Sequence, residues 1–432
     1  MTASLQVLDA PACDVLLVTD IKFWREQQGN EARISAEVDH FIAVGMRVVV
    51  LLIGNIGNAD AQKLALRFPG LECLCSDRLV TQTWRNRLQP KNILTSLRRR
   101  VTVAGYRLRG LQAPDTLDGW FRPECRPLLE QVCRQRQPAV VLLQYLWLAY
   151  LIEGPLPGSP VTILDAHDVH ASRWAAFKRL GITRGLAITA RQEQRVLSLA
   201  DHVVAIQHDD LRTFRESYGL RSVLLAMHAQ RLKPLPWQAT GQVLFVGSDN
   251  LPNVEAARWL ISVWPRAAAG LERKVELHLV GSVCSAVDAQ SVPGVVVHGR
   301  VEDLAFHYGA AELVVNPVSF GSGLKIKTVE ALCHGRPLLT TRVGAEGLAS
   351  FEDESTMRVA NDLDSLFSQL REMLHDHSRG AAMSSAALAY AGEHFLPEEA
   401  YRSLTDLISG ATRTRRANSP NSTRAPADQT AA

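Results

Sequence analysis

The feature that most constrains the fold of this chain is an alternation of short apolar runs with helical stretches, laid down twice. The first set of runs lies at 15–19, 47–53, 139–143, 161–164, 203–206 and 223–226. Each is continuous and rich in Val, Leu and Ile, which suits a strand covered on both faces. Strands separated by helix-length segments argue for a parallel, doubly wound sheet. The pattern breaks at Lys233-Pro-Leu-Pro-Trp-Gln-Ala-Thr-Gly241, where two prolines and a closing glycine read as a linker. It then restarts at 243–246 and continues at 275–280, 295–298, 313–316 and 338–341. A second α/β unit is therefore expected, and 432 residues are enough for two cores. A helical stretch over 364–410 follows, and the polar end from Thr412 is expected to be disordered. The segment 78–109 stands apart, with Arg85, Arg87, Arg98, Arg99 and Arg100 around Trp84 and Ile93. It reads either as a solvated helical hairpin or as a surface for an anionic lipid carrier or membrane.

Composition narrows the function. Hydrophobic residues make up 47% and charged residues 21%, as in a soluble globular protein. A formal net charge of +3 gives no reason to expect a nucleic-acid partner. No apolar run approaches the ~20 residues of a spanning helix. The longest, 139–152, is interrupted by Gln144 and reads as a strand running into a helix. Met1-Thr-Ala-Ser-Leu5 has neither a basic start nor an apolar core, so no signal peptide is expected. The 7 cysteines are odd in number, scattered and without a CxxC, which favours a reducing cytoplasm and gives no zinc pattern.

The chemistry concentrates on Asn316-Pro-Val-Ser-Phe-Gly-Ser-Gly-Leu-Lys-Ile-Lys-Thr-Val-Glu330. An apolar run stops at Pro317, a loop with Gly321, Ser322 and Gly323 follows, and a helix is expected to open at Leu324. Glycines let backbone approach a ligand closely, and a helix N-terminus offers N–H groups to an anion. Lys325 and Lys327 add positive charge. Glu330, further along the helix, can accept from sugar hydroxyls. Phosphate donors beside a hydroxyl acceptor suit a nucleotide-sugar, although the loop alone also fits an ordinary strand–loop–helix unit with two solvated lysines.

Other candidates follow from the rule that open α/β sheets bind ligands beyond the carboxyl ends of their strands. Asp165-Ala-His-Asp168 succeeds the run 161–164, which places His167 toward a cleft or leaves it satisfied by local backbone. Arg173 either holds a phosphate or acceptor, or pairs with Asp168. Gly29, after the first run, is either a phosphate-contacting glycine or a plain turn, and Arg33 is a weaker candidate. Gly247 ends the first run of the second domain. Asn253 either caps the next helix or serves a ligand, and His228 reads as an ordinary loop residue. No carboxylate pair is suitably placed for a divalent metal; Asp209-Asp210 sits at a loop or helix start.

The stretch from Gly321 to Pro337, then Thr340-Thr-Arg-Val-Gly-Ala-Glu-Gly-Leu348, resembles the donor-site core of retaining family 4 glycosyltransferases of the bacterial polysaccharide type. Phe245-Val-Gly-Ser248, Leu251-Pro-Asn-Val-Glu-Ala-Ala257, Asp165-Ala-His-Asp-Val169 with Arg173, and Ala200-Asp-His-Val-Val-Ala-Ile-Gln207 share that likeness. The resemblance implies a GT-B architecture: two Rossmann-like doubly wound domains facing across a cleft. Residues 1–236 would form the acceptor side and 237–390 the nucleotide-sugar side. A helix over 391–410 would cross back to the first domain, and 411–432 would be a disordered tail.

The resemblance further implies transfer from a UDP- or GDP-sugar to a saccharide or lipid-linked hydroxyl, with retention and without cofactor or metal. It assigns Gly29, Gly247, Gly321, Ser322, Gly323, Leu324, Lys325, Lys327 and Glu330 to the donor, with Lys327 neutralising the leaving group. His167 would meet the sugar, and Asp168 or Arg173 the acceptor or a phosphate. The expected setting is cytoplasmic polysaccharide or glycolipid synthesis, with peripheral contact at the inner membrane surface. Two departures stand out: Ser322 occupies a position that is often acidic, and Ser248-Asp-Asn-Leu-Pro-Asn253 lacks the basic pair that often follows the first strand. They keep open a catalytically silent binding or scaffold protein of the same fold. A dehydrogenase is disfavoured because GxGxxG follows the first run of neither domain.

Overall fold

A computed structural model of the chain describes residues 11–79, 115–179, 181–183, 185–289, 291–321, 323–348 and 354–418. The arginine-rich stretch from residue 80 onward, Ser322 and the tail after residue 418 lie outside the described residues.

Two parallel sheets organise the molecule. The first contains β1 (Val15–Thr19), β2 (Val48–Leu52), β3 (Glu72–Cys75), β4 (Val140–Gln144), β5 (Val161–Asp165), β6 (His202–Ala205) and β7 (Val223–Leu225), in the order β3-β2-β1-β4-β5-β6-β7. Val15 sits at the centre of this sheet, opposite Val48 on one side and Val140 on the other. Every residue of β1, β2 and β4 is buried, which is why these strands read as unbroken apolar runs. The second sheet contains β8 (Gln242–Val246), β9 (Glu276–Val280), β10 (Val295–Gly299), β11 (Leu313–Asn316), β12 (Leu338–Thr341) and β13 (Arg358–Ala360), in the order β10-β9-β8-β11-β12-β13. The expected pair of doubly wound domains is therefore present.

Strand order reverses between β1 and β4 in one sheet and between β8 and β11 in the other. Such reversals open a crevice at the carboxyl ends of the strands. The Gly29 loop and Tyr145 lie at the first reversal, Gly247 and the 317–323 loop at the second. In the second domain the helix Leu251–Ala267 buries Val254, Leu260 and Trp264 against the sheet. Its cap is Asn250, whose side chain accepts from the backbone N–H of Asn253 at 3.1 Å. The capping role considered for Asn253 thus falls three residues earlier.

The carboxyl ends of the two sheets meet. A Cβ on Gly29 would lie 2.8 Å from Ile326 Cδ1, one on Gly323 3.6 Å from Asp168 Oδ1, and one on Gly347 2.1 Å from Gln207 Oε1. Arg300 donates to Gln27 Oε1 at 3.3 Å across the same seam. The chain then returns to the first domain. Ser403 Oγ donates to the carbonyl of Leu225 at 2.7 Å, and His40 Nε2 meets Thr405 Oγ1 at 2.9 Å. The last helix, Arg402–Ala417, runs past residue 411, where disorder was expected to begin. Arg415 donates to the carbonyls of Cys13 and Gln137, and Thr412 is buried. These tertiary partners hold a segment that its polar composition alone would release.

Candidate active site

The first residues of two helices come into contact at the seam. Gly29 begins the helix Gly29–Ala43 of the first domain, and Ile326 begins the helix Ile326–Cys333 of the second. Their contact brings two partial positive charges to one place. The second helix starts two residues later than Leu324, which stays in the loop. Gly321 and Gly323 hold φ of 122° and 80°, a left-handed region that side chains resist, so the glycines make this turn possible. The loop base is fixed from below: Asn316 Nδ2 donates to Thr328 Oγ1 at 3.0 Å, and Thr328 Oγ1 donates to the carbonyl of Gly344 at 2.9 Å.

The two lysines have different surroundings. Lys325 donates to the carbonyl of Gly323 and to Glu346 Oε2, the latter at 3.1 Å, so part of its charge is already balanced. Lys327 donates to Asn253 Oδ1 and lies 4.7 Å from the Phe245 ring centroid. These partners carry no full negative charge. Burial, with Lys325 nearby, therefore lowers the Lys327 pKa to about 7. Glu330 accepts from the Tyr308 hydroxyl at 2.8 Å, and burial raises its pKa. Tyr308 is in turn stacked on His334 at 4.6 Å. Gly247 serves a close approach of chains: a Cβ there would lie 3.0 Å from Phe245 Cε1 and 3.2 Å from Asn253 Cβ. It therefore keeps Asn253 within reach of Lys327.

On the first domain, His167 adopts φ of 60° and is 7% exposed. Its Nε2 lies 2.5 Å from Gln144 Oε1, and Gln144 Nε2 donates to Glu37 Oε2 at 2.7 Å. With the Gln144 amide oxygen turned to the ring, His167 Nε2 is the donor in this contact. Burial lowers the His167 pKa to about 4, so the ring is neutral at pH 7. Burial and Asp165 raise Glu37 to about 8. Arg33 has no open face toward a ligand: it pairs with Asp165 at 2.7 Å in the interior. Asp165 Oδ1 also accepts the backbone N–H of His167 at 3.2 Å. Arg33 and Asp165 thus brace the strained backbone while Gln144 and Glu37 orient the ring. Asp168 faces the Gly323 loop and pairs with Arg173 at 3.5 Å. His228 lies in a loop as read from the sequence, but the loop is buried, and burial with Arg33 nearby lowers its pKa to about 3.

The structure therefore brings the loop of Gly321, Gly323, Leu324 and Lys325 and the helix start at Ile326 against Gly29 and Asp168 of the first domain, with Arg173 joined through Asp168, while Lys327 and Glu330 make their contacts within the second domain. His167 lies just beneath the seam, and Gly247 acts through Asn253. Sequence reasoning missed Glu37, Gln144, Tyr145 and Tyr308. Gln144 carried the only available signal, as a polar break in an apolar run. Among the described residues, no group of three or more His, Cys, Asp or Glu side chains is arranged to hold a metal ion.

Residues 240–376 match the family model described as Glycosyl transferases group 1. No curated protein sequence matches the chain. S. aureus TarM superposes with a TM-score of 0.66 at 10% identity, covering 91% of this chain and 99% of TarM. Anabaena Alr3699/HepE, solved with UDP-glucose, gives 0.61 at 14% identity, covering 92% and 99%. The pneumococcal O-GlcNAc transferase GtfA, solved with UDP and GlcNAc, gives 0.63 at 10% identity, covering 92% and 99%. The chain has the GT-B fold of a glycosyltransferase, and the part matching the group 1 family holds the glycine loop, both lysines and Glu330.

Proposed function

We propose that the chain is a retaining glycosyltransferase that moves a sugar from a UDP- or GDP-sugar to a hydroxyl of a saccharide or lipid-linked acceptor. The observation that carries this reading is the meeting of two helix N-termini at Gly29 and Ile326, with Lys327 beside them and Glu330 one turn on. A diphosphate at that meeting point would be held by backbone N–H groups and lysine charge, and Glu330 would accept from the ribose. As the bond from the sugar carbon to the leaving phosphate breaks, negative charge grows on the phosphate, where Lys327 would stabilise it. The acceptor oxygen would bond to the same carbon on the same face, and its proton would pass to the leaving phosphate. His167, neutral and braced, would position the sugar. The positive groups supply the compensating charge, so the reaction is proposed to need no metal ion. The UDP complexes of HepE and GtfA make UDP the first nucleotide to test. The proposed setting is the cytoplasmic side of a membrane during surface polysaccharide or glycolipid synthesis.

The test is a panel of UDP- and GDP-sugars with excess EDTA, scored by release of nucleoside diphosphate. Turnover of at least one donor in EDTA is expected. Turnover that appears only with Mn²⁺ or Mg²⁺ would contradict the metal-free route. Nucleotide binding without any turnover would favour the silent binding protein.

A further inference from the structure

Glu330 is held by residues outside its own helix turn. Its Oε2 accepts from the Tyr308 hydroxyl at 2.8 Å, and the same hydroxyl lies 3.4 Å from the carbonyl of Lys327. Tyr308 comes from a different element, the helix Ala305–Ala310, and its side chain is fully buried. The ring is stacked on His334 at 4.6 Å, with 15° between the planes. His334 is buried as well, and its Nδ1 donates to the backbone carbonyl of Glu330 at 2.8 Å, since a carbonyl can only accept. The stacked pair therefore holds Glu330 at both its carboxylate and its backbone.

Phenylalanine would fill the same space, so packing alone does not require the Tyr308 hydroxyl. Burying a hydroxyl is unfavourable unless it finds an acceptor, and the acceptor here is a carboxylate. The pairing has two consequences. With Oε2 anchored, the carboxylate cannot turn freely. Among the described residues no hydrogen bond reaches Oε1, and Glu330 is only half-buried, so Oε1 is the oxygen left to accept from a ligand. The second consequence concerns charge. Burial raises the Glu330 pKa, while the Tyr308 hydroxyl, Lys233 and Lys327 oppose the rise. The hydroxyl thus favours the ionised carboxylate, which can accept but not donate. Such a group distinguishes a hydroxyl from a C–H, because the missing hydroxyl leaves it desolvated and unpaired.

We infer that Tyr308 is a positioning residue: it aims the Glu330 carboxylate at the ribose hydroxyls and so makes the donor site select ribonucleoside over deoxyribonucleoside diphosphates. This rests on the donor reading of Glu330. The test is calorimetric titration of the full chain with UDP, 2′-deoxy-UDP, 3′-deoxy-UDP and inorganic pyrophosphate, beside Tyr308→Phe and Glu330→Gln. In the unaltered chain at least one deoxynucleotide should bind about tenfold more weakly than UDP, the loss of one charged hydrogen bond. Tyr308→Phe should narrow that gap to about threefold or less while pyrophosphate affinity is kept. Adding Tyr308→Phe to Glu330→Gln should change nothing further. A merely structural tyrosine would instead weaken every ligand together. The inference is overturned by an unchanged gap in Tyr308→Phe, by a parallel loss of pyrophosphate binding, or by circular dichroism showing that this variant does not fold. The two readings fail differently. If the unaltered chain binds no nucleotide or shows no gap, or if Glu330→Gln keeps the gap, the ribose role of Glu330 falls and this inference with it. A gap abolished by Glu330→Gln but kept by Tyr308→Phe defeats the role of Tyr308 alone.

Discussion

Lys327 shows how a single side chain can carry both affinity and chemistry. Its burial without a carboxylate partner brings its pKa down to about 7, so above that pH it is neutral in the unliganded protein. Binding a diphosphate would then draw a proton onto it. UDP affinity should therefore be insensitive to this group below about pH 7 and weaken above it, by at most about tenfold per pH unit. Calorimetry in buffers of different ionisation enthalpy checks this, since proton uptake should be visible near pH 8 and absent in Lys327→Met. His167 predicts a different pattern. Because its ring is braced by Gln144 and Tyr145 beneath the seam, His167→Ala should lower kcat while UDP affinity changes little. Loss of UDP binding along with kcat would make His167 a structural residue. Lys325, Lys327 and Glu330 were legible in the sequence because they share one loop and helix. Glu37 and Gln144 were not, because their hydrogen bond joins residues 107 positions apart and exists only once β4 lies beside the first helix.

At the scale of elements, the legible strands were those written as unbroken apolar runs, including β7 and β10, which lie at sheet edges and are only partly buried. β3 and β13 were missed for a physical reason: each lies at a sheet edge, and Glu72–Cys75 and Arg358–Ala360 each mix charged with apolar residues. Edge strands are commonly short and charged, so they lack the apolar run that marks a central strand. The loop between β12 and β13 makes its own prediction. Gly347 has a φ of 84°, and a Cβ there would lie 2.1 Å from Gln207 Oε1 of the first domain. Gly347→Ala should cost about 1–2 kcal/mol for the left-handed backbone alone. It should also push the two domains apart at this point. Thermal unfolding should fall and kcat should drop several-fold, with UDP affinity largely kept because the donor groups of the second domain are untouched. An unchanged kcat would show that this contact does not set the closed geometry.

At the scale of the whole molecule, function depends on two sheets presenting their carboxyl ends to each other. The double alternation of apolar runs and the break at 233–241 made two domains readable. The distance between them was not readable, because it rests on contacts such as Gly29 with Ile326 and Gly323 with Asp168 that no local pattern encodes. The final helix adds to this closure by tying the end of the chain to β7 through Ser403 and Leu225. The central claim is that a nucleoside diphosphate sits between the two helix N-termini, held by Lys327 and Glu330. The most direct test is calorimetric titration of UDP and GDP into the unaltered chain in EDTA, beside Glu330→Ala and Lys327→Met. One nucleotide should bind at a single site, and Glu330→Ala should weaken it by about tenfold or more, about 1.5–3 kcal/mol for a charged hydrogen bond. Absence of binding by either nucleotide, or binding unaffected by both substitutions, would contradict the account.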